Sequence, residues 1–147
     1  MEQENKKSPI RSFRDLNVYQ DAYNCSIIIA TKILPRLPEN EKYDLKNQLS
    51  RSSKAVPRLI AEGFAKKHQR SGFKKYLDDA MAECNETIVC LEHVKDIYRI
   101  EVTLCDQLIV GYDKTVRQVF KLAEAWDNFK NRRRSTIPAD HTSGYAL

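Results

Sequence analysis

The sequence predicts an all-α protein built as an up-down-up-down antiparallel four-helix bundle. Apolar or small residues recur at alternating three- and four-residue steps in four separate segments, which is the spacing of a buried helix stripe. No segment alternates apolar and polar residues strongly enough to compete as a strand. The connections between the segments are short, and short connections favour antiparallel neighbours.

The predicted helices take their limits from these stripes and from the residues that break them. The stripes span residues 16–37, 45–63, 73–98 and 108–129. The predicted connections contain Pro35 and Pro38, residues 63–72, and residues 99–102. We assign Tyr19 and Tyr23 to the first stripe, and we expect Asp15 to be the N-cap of the first helix.

One domain accounts for the 147 residues, since 41% of them are hydrophobic and can form a single core. We predict a flexible N-terminus over residues 1–12, the bundle over residues 13–131, and a basic, disordered tail over residues 132–147, where the apolar period is lost. No run approaches the roughly 18 apolar residues of a membrane-spanning helix. The polar N-terminus also lacks the apolar segment of a secretion signal. We therefore expect a cytoplasmic protein. We also expect no binding to a membrane surface, because the second helix lacks a Trp-rich apolar face and its apolar stripe is needed for the core.

The sequence offers no constellation of residues for catalysis or for a cofactor. Di-metal bundle enzymes use paired Glu-x-x-His motifs, but the residue three before His68 is Ala65, and the residue three before His93 is Cys90. No phosphate-binding loop, nucleophile elbow or HExxH motif is present. The four cysteines form no CxxC pair, so we expect buried free thiols rather than disulfides or a zinc site. We predict a non-enzymatic protein without a cofactor or metal.

Charge is segregated along the chain. Residues 46–75 carry nine basic side chains and one acidic side chain, a net charge of +8. Residues 76–113 carry two basic and nine acidic side chains, a net charge of −7. A concentrated basic block can replace the counterions around phosphates, so this pattern predicts binding to RNA or another nucleic acid. The alternative is self-assembly, in which the basic second helix faces the acidic third helix of its own bundle or of a neighbouring subunit.

The predicted nucleic-acid contacts lie at one end of the bundle, along the second helix and in the tail. The first choice, at the end of the bundle, is Lys66, Lys67, Arg70, Lys74 and Lys75. The other candidates are Arg51, Lys54 and Arg58 in the second helix, and Arg132, Arg133 and Arg134 in the tail. Phe64, Phe73 and Tyr76 interleave with this block, and an exposed aromatic ring there could stack on an unpaired base. Phe73 and Phe64 also fall near the core stripe, which favours a structural role for them.

Two apolar runs are wider than one core-facing stripe. Ile27, Ile28 and Ile29 cover about 200° of helix circumference at about 100° per residue, so some of them must face outward. The run at residues 108–110 poses the same question on the fourth helix. We predict a subunit interface that contains both runs, specifically Ile27, Ile28, Ile29, Ile109 and Val110. The alternative is a broad core stripe with a few exposed apolar side chains.

Four motifs, in order from residue 13 to about residue 100, resemble one protein family. VPRLIAEGFAKK resembles the signature IPxNIAEGxGR of the four-helix-bundle family that includes the intervening-sequence proteins encoded within large-subunit ribosomal RNA genes. FRDLNVYQDAYN is similar to the family's opening FxDLxVWQxA, ENEKYDLKNQLSRSSKAV to xxExYxLxxQxRRAxxSI, and FKKYLDDAMAECNET to FxxFLxIAxGSxxE. The positions that match the family's motifs are Pro57, Glu62, Gly63 and Glu86. Leu59 stands where the family usually has Asn.

The resemblance implies a bundle that assembles into a homopentameric ring with no known catalysis. A related branch, the accessory variability determinant of diversity-generating retroelements, is a basic pentameric bundle that binds a reverse transcriptase and nucleic acid. We therefore expect an accessory scaffold that binds RNA or an RNA–DNA hybrid within a ribonucleoprotein, such as a reverse transcriptase complex. The alternative is a ribosomal RNA intervening-sequence-encoded assembly protein without a nucleic-acid role.

Overall fold

Four α-helices make up most of the described chain, as the sequence predicts. The computed structural model describes residues 9–135, and their side chains as far as residue 132. The helices are α1 (Asn17–Ile28), α2 (Leu45–Ala65), α3 (Gly72–Tyr98) and α4 (Val102–Ser135). No strand occurs within residues 9–135. The prediction of an all-α chain with four helices is confirmed.

Successive helices run antiparallel through α2, α3 and α4. The hydroxyl of Tyr98, at the end of α3, donates to the carboxylate of Glu41, just before α2 begins. Midway along, Thr87 Oγ1 lies 2.9 Å from Ser52 Oγ in a buried hydrogen bond between α3 and α2. Lys95 Nζ is 3.0 Å from an Asp106 carboxylate oxygen, which pairs the end of α3 with the start of α4. Contacts of α1 with α2 and α4 complete the bundle.

The N-terminal approach to α1 differs from the prediction. A 3-10 turn covers Phe13–Asp15, and the Asp15 carboxylate accepts hydrogen bonds from the backbone N–H groups of Arg11 (2.8 Å) and Ser12 (3.0 Å). The hydrogen bond from Arg11 is the largest of the effects that lower the pKa of Asp15. Leu16, which precedes α1, makes no side-chain cap. The predicted N-cap role of Asp15 for α1 is therefore wrong, because its side chain reaches back to the preceding turn.

The first connection contains both predicted prolines. A π-helical turn covers Ile29–Ile33, and 3-10 turns cover Leu34–Arg36 and Glu39–Glu41. Pro35 and Pro38 lie within and beside these short turns, where a missing N–H costs little. The break predicted between the first two helices is confirmed.

α2 and α3 approach closely at Gly63. A Cβ atom at Gly63 would lie 2.7 Å from Tyr76 Cβ and 3.3 Å from Phe73 Cδ1. The glycine lies inside α2, which continues to Ala65, so the connection predicted from residue 63 begins after residue 65. Pro57 also lies inside α2 and is buried. Leu59, at the position of the family's Asn, is partly buried and packs against the core.

The core is filled by apolar side chains from all four helices, among them Ala22, Leu49, Leu77 and Val119. All four cysteines are free thiols, as predicted. The three that are buried are Cys84, Cys90 and Cys105, whereas Cys25 is half-buried. Burial raises the pKa of Cys84 to about 12 and the pKa values of Cys90 and Cys105 to about 11, so these thiols stay protonated at neutral pH.

The residues predicted to form a subunit interface fall into three classes of exposure. Ile27 and Val110 are exposed by 45% and 67%, respectively. Ile28 and Ile109 are partly buried. Ile29 is completely buried in the core of the single chain. Ile29 is therefore removed from the predicted interface, because it reaches no surface.

The last helix extends past the predicted end of the bundle. α4 continues beyond residue 131 to Ser135. The remaining tail, residues 136–147, and residues 1–8 of the predicted flexible N-terminus lie outside the described residues. Within the described part, no helix is both long enough and apolar enough to cross a membrane.

Candidate nucleic-acid interface

Three predicted cations share the solvent face of α2. Arg51, Lys54 and Arg58 are three and four residues apart, so they point to one side of the helix, and all three are exposed. Arg58 is 3.9 Å from the carboxylate of Glu62 one turn later. The family-motif residue Glu62 therefore has a partner on its own helix, and the face stays net positive.

The remaining predicted cations of the basic block gather where α2 passes to α3. We define the basic end as Lys66, Lys67 and Arg70 of the α2–α3 link, Lys74 and Lys75 of the first turn of α3, and Lys130 of α4. The link and the start of α3 bring five of these together over ten residues. Lys130 joins them from more than fifty residues away in the sequence.

Aromatic rings orient two lysines of the basic end. Lys66 Nζ donates to Tyr76 Oη at 2.6 Å and lies 4.8 Å from the centre of that ring. This hydrogen bond is the main reason that the pKa of Lys66 is raised, so the ammonium group remains charged. Lys67 Nζ lies 3.7 Å from the centre of the Phe64 ring. Both ammonium groups therefore lie beside aromatic rings of the flanking helices, Lys66 beside a ring of α3 and Lys67 beside a ring of α2.

The backbone of the link folds tightly onto itself and onto α4. The N–H of Gln69 donates to the Lys66 carbonyl (3.0 Å), and the N–H of Gly72 donates to the Gln69 carbonyl (3.2 Å). A Cβ atom at Gly72 would lie 2.3 Å from the Lys66 carbonyl oxygen, so only glycine fits without a shift of the backbone. The ammonium group of Lys130 also donates to the Gln69 carbonyl. The link is thus attached to α4, and Lys130 is fixed beside it.

A shallow cleft of about 300 Å³ opens between the link and α4. Its lining residues are Arg70, Ser71, Lys74, Asp127, Lys130 and Asn131. Three cations face one carboxylate there, together with hydroxyl and amide groups that can donate hydrogen bonds. This donor set is suited to phosphate oxygens, which accept hydrogen bonds and attract positive charge.

The aromatic residues of the basic block differ in their accessibility. Phe73 is buried and packs edge-on against Trp126, with ring centres 5.6 Å apart. Phe64 is partly buried and packs edge-on against Phe73 at 6.2 Å. Tyr76 is partly buried and is engaged by Lys66. The structural role that its spacing favours for Phe73 is confirmed, because the ring belongs to the core.

Direct pairing between the basic α2 and the acidic α3 is not observed in the described part of the chain. The ion pairs of the basic block are local, namely Lys46–Glu39, Arg58–Glu62 and Lys74–Asp78. On α3, burial and the neighbouring carboxyl of Glu86 raise the pKa of Glu83, and the charges of Arg51 and Arg58 oppose this effect. The two helices therefore interact through space, but no ion pair among the described side chains joins them.

The predicted tail contacts are only partly described. Arg132 lies near the end of α4 and is exposed. Arg133 and Arg134 belong to the same helix, but their side chains lie outside the described residues. Among the described side chains, no group of three His, Cys, Asp or Glu residues is arranged to hold a metal ion.

Most of the chain matches the model of one protein family. The family model for the 23S rRNA-intervening sequence protein matches residues 14–121. The chain belongs to this family. A search of the curated proteins finds no match. The family resemblance of the four sequence motifs is thereby confirmed, and the matched region runs from the turn before α1 into the second half of α4.

The match covers most, but not all, of the basic end. It includes the α2–α3 link, the start of α3, and the family-motif residues Pro57, Glu62, Gly63 and Glu86. It ends before Lys130 and the arginines at residues 132–134. The cleft therefore combines residues from the matched region with residues that follow it.

Proposed function

We propose that this protein is a non-enzymatic, oligomeric scaffold that binds RNA or an RNA–DNA hybrid through its basic end. The observation that carries the proposal is the convergence of cations from the α2–α3 link, α3 and α4 on one cleft. Such a cluster gains binding free energy by displacing condensed counterions from phosphates. The face of α2 with Arg51, Lys54 and Arg58 extends this surface along the bundle.

The proposed setting is a cytoplasmic ribonucleoprotein in which the protein serves as an accessory subunit. The resemblance to the accessory variability determinant supports a reverse transcriptase as its protein partner. A homopentamer is the proposed assembly, and the exposure of Ile27 and Val110 supports a contact between subunits. In such an assembly, the basic ends of several subunits act together on one ligand.

The test is fluorescence anisotropy with a structured RNA, a DNA duplex and an RNA–DNA hybrid at low and moderate salt. The variant is Lys66→Glu/Lys67→Glu/Arg70→Glu, which reverses three charges of the link. The control is Lys32→Glu/Lys42→Glu/Arg99→Glu, which changes the net charge equally at the opposite end of the bundle. We expect wild-type binding that falls with salt, and a slope of log K against log salt that is shallower by about 3 in the link variant.

Two results would contradict the proposal. One is the absence of wild-type binding at low salt. The other is an equal loss of affinity in the link variant and the control variant, because binding would then depend on overall charge and not on the basic end. Circular dichroism of each variant excludes unfolding as the cause of a loss.

A second candidate is an assembly protein without a nucleic-acid role, and the exposed apolar side chains favour it. Sedimentation of the wild type and of Ile27→Asp/Val110→Asp tests the assembly separately from nucleic-acid binding. We expect the wild type to sediment as an oligomer and the variant to sediment as a smaller species. An oligomer that binds no nucleic acid would support this second candidate.

A further inference from the structure

A second concave surface lies between α1 and α2, away from the cleft at the basic end. This groove has a volume of about 340 Å³. Phe13, Tyr19, Tyr23 and Ile27 line one side of it, and Lys54 and Arg58 line the other. Most of the exposed area of the groove is apolar, so its base can hold a flat, weakly hydrated group.

Aromatic rings form a continuous series along the α1 side of the groove. Phe13 meets Tyr19 edge-on, with ring centres 4.8 Å apart and ring planes at 77°. Tyr19 and Tyr23 are stacked, with ring centres 6.0 Å apart and ring planes at 24°. The series ends at Tyr23, which is 47% exposed although its spacing predicts a core position. A stack that ends at an exposed ring can be extended by another planar ring.

Charge on the α2 side of the groove selects the kind of ligand. Lys54 and Arg58 line the groove, and none of its described lining residues is acidic. Lys54 is exposed and has no ion pair among the described side chains. Aromatic rings beside two cations suit a strand whose bases are unpaired and whose phosphates are negative. An apolar protein segment would cover the rings and supply no anion to Lys54, whereas Arg58 keeps its ion pair with Glu62.

We propose that the groove between α1 and α2 holds an unpaired base of a single-stranded nucleic acid against Tyr23, while Lys54 and Arg58 contact the flanking phosphates. This inference rests on the proposed function and specifies its ligand as a segment with unpaired bases. Arg58 precedes Lys66 by eight residues, a rise of about 12 Å along α2. One strand can therefore run from the groove to the basic end.

The experiment compares a short unstructured RNA with the duplex formed by the same sequence, using anisotropy at low salt. We expect Tyr23→Ala to weaken single-strand binding by about 5- to 150-fold, the loss typical for one base stacked on an aromatic ring. Duplex binding should change by less than about twofold, because paired bases are not available to the ring. Tyr23→Phe should bind as the wild type does. Tyr43→Ala is the control, since Tyr43 is 86% exposed and lies outside the groove.

The variants separate failure of this inference from failure of the proposed function. If the link variant loses binding but Tyr23→Ala does not, the groove plays no part and the basic end still does. If the wild type binds neither RNA nor duplex, both proposals fall together. If Tyr23→Ala weakens single strand and duplex equally, base stacking is not the reason. If Tyr23→Ala changes the sedimenting species, the groove is a contact between subunits, which also overturns the inference.

Discussion

Replacing Gly63 with alanine tests the close contact between α2 and α3. The added methyl group would lie 2.7 Å from Tyr76 Cβ, and ordinary contacts begin at 3.4 Å, so the two helices must move apart by about 0.7 Å. Tyr76 Cβ is attached directly to the α3 backbone and cannot move aside alone. Overpacking of this kind costs about 1–3 kcal/mol. Alanine also favours the helix over glycine by about 1 kcal/mol, so we expect a net loss of about 0–2 kcal/mol.

The matched control is Gly111→Ala in α4. A Cβ atom there would meet only the sulfur of Cys25, at 3.9 Å, which is an ordinary contact. We therefore expect Gly111→Ala to raise the free energy of unfolding by about 0.5–1 kcal/mol through helix propensity alone. The difference between the two variants isolates the cost of separating α2 from α3, which should be about 1–3 kcal/mol.

The assay is urea unfolding followed by far-ultraviolet circular dichroism, at one protein concentration, because subunit association would shift the apparent stability. Equal stabilisation by both alanine variants would refute the reasoning. It would mean that α2 and α3 have room for a methyl group at residue 63.

Three further variants or reagents test other contacts of the bundle. Arg99→Gly should raise the free energy of unfolding by about 1 kcal/mol, because Arg99 ends α3 with a left-handed φ of 54° that glycine adopts without strain. Equal stability of Arg99→Gly and Arg99→Ala would contradict this. Thr87→Val should lower the free energy of unfolding by about 1–2 kcal/mol, since it removes the hydroxyl that donates to the buried Ser52 Oγ and leaves Ser52 with only its 3.5 Å bond to the Leu49 carbonyl. Adding Ser52→Ala should cost less than the sum of the single changes, and strict additivity would argue against the bond. At pH 8, a disulfide reagent should modify the half-buried Cys25 first, because burial raises the pKa of Cys84 to about 12 and keeps it a protonated, unreactive thiol. Urea should expose all four thiols to the reagent. Rapid reaction of several thiols in the native protein would be inconsistent with the packing.

The helices were predictable because their stripes reflect a local periodicity that packing preserves. The close approach at Gly63 was also predictable, since a glycine within a helical stripe indicates contact or termination. The role of Asp15 was not predictable, because a carboxylate at this position can accept hydrogen bonds from the residues before it or from the helix after it. The 3-10 turn at Phe13–Asp15 turns the side chain toward the preceding residues. The sequence could not show that Ile29 is buried and Ile27 exposed, because this depends on how the helix is rotated about its axis. Three consecutive isoleucines fit an inward position equally well.

The basic end was predicted from a local charge run, but its composition was not. Lys130 joins it because α4 runs antiparallel to α3 and is long enough to reach the residues before α3, where Lys130 donates to the Gln69 carbonyl. The groove was missed because Tyr19 and Tyr23 have core spacing, and their exposure depends on how far α1 lies from α2. The available signal was a pair of tyrosines four residues apart near the N-terminus of the bundle. Without the partner helix, that signal does not distinguish a core from a groove.

Like charges crowd together at the basic end whenever no polyanion is bound. Arg70, Lys74 and Lys130 line one small cleft, where Asp127 is the one carboxylate among the described lining residues. Their mutual repulsion opposes the packing of the link against α4. Salt screens such repulsion over about 8–10 Å at ionic strengths of 0.10–0.15 M. Added salt should therefore raise the melting temperature of the free protein while it weakens nucleic-acid binding. The charges suited to holding phosphate are thus a source of instability in the unbound protein, and a bound polyanion would relieve it.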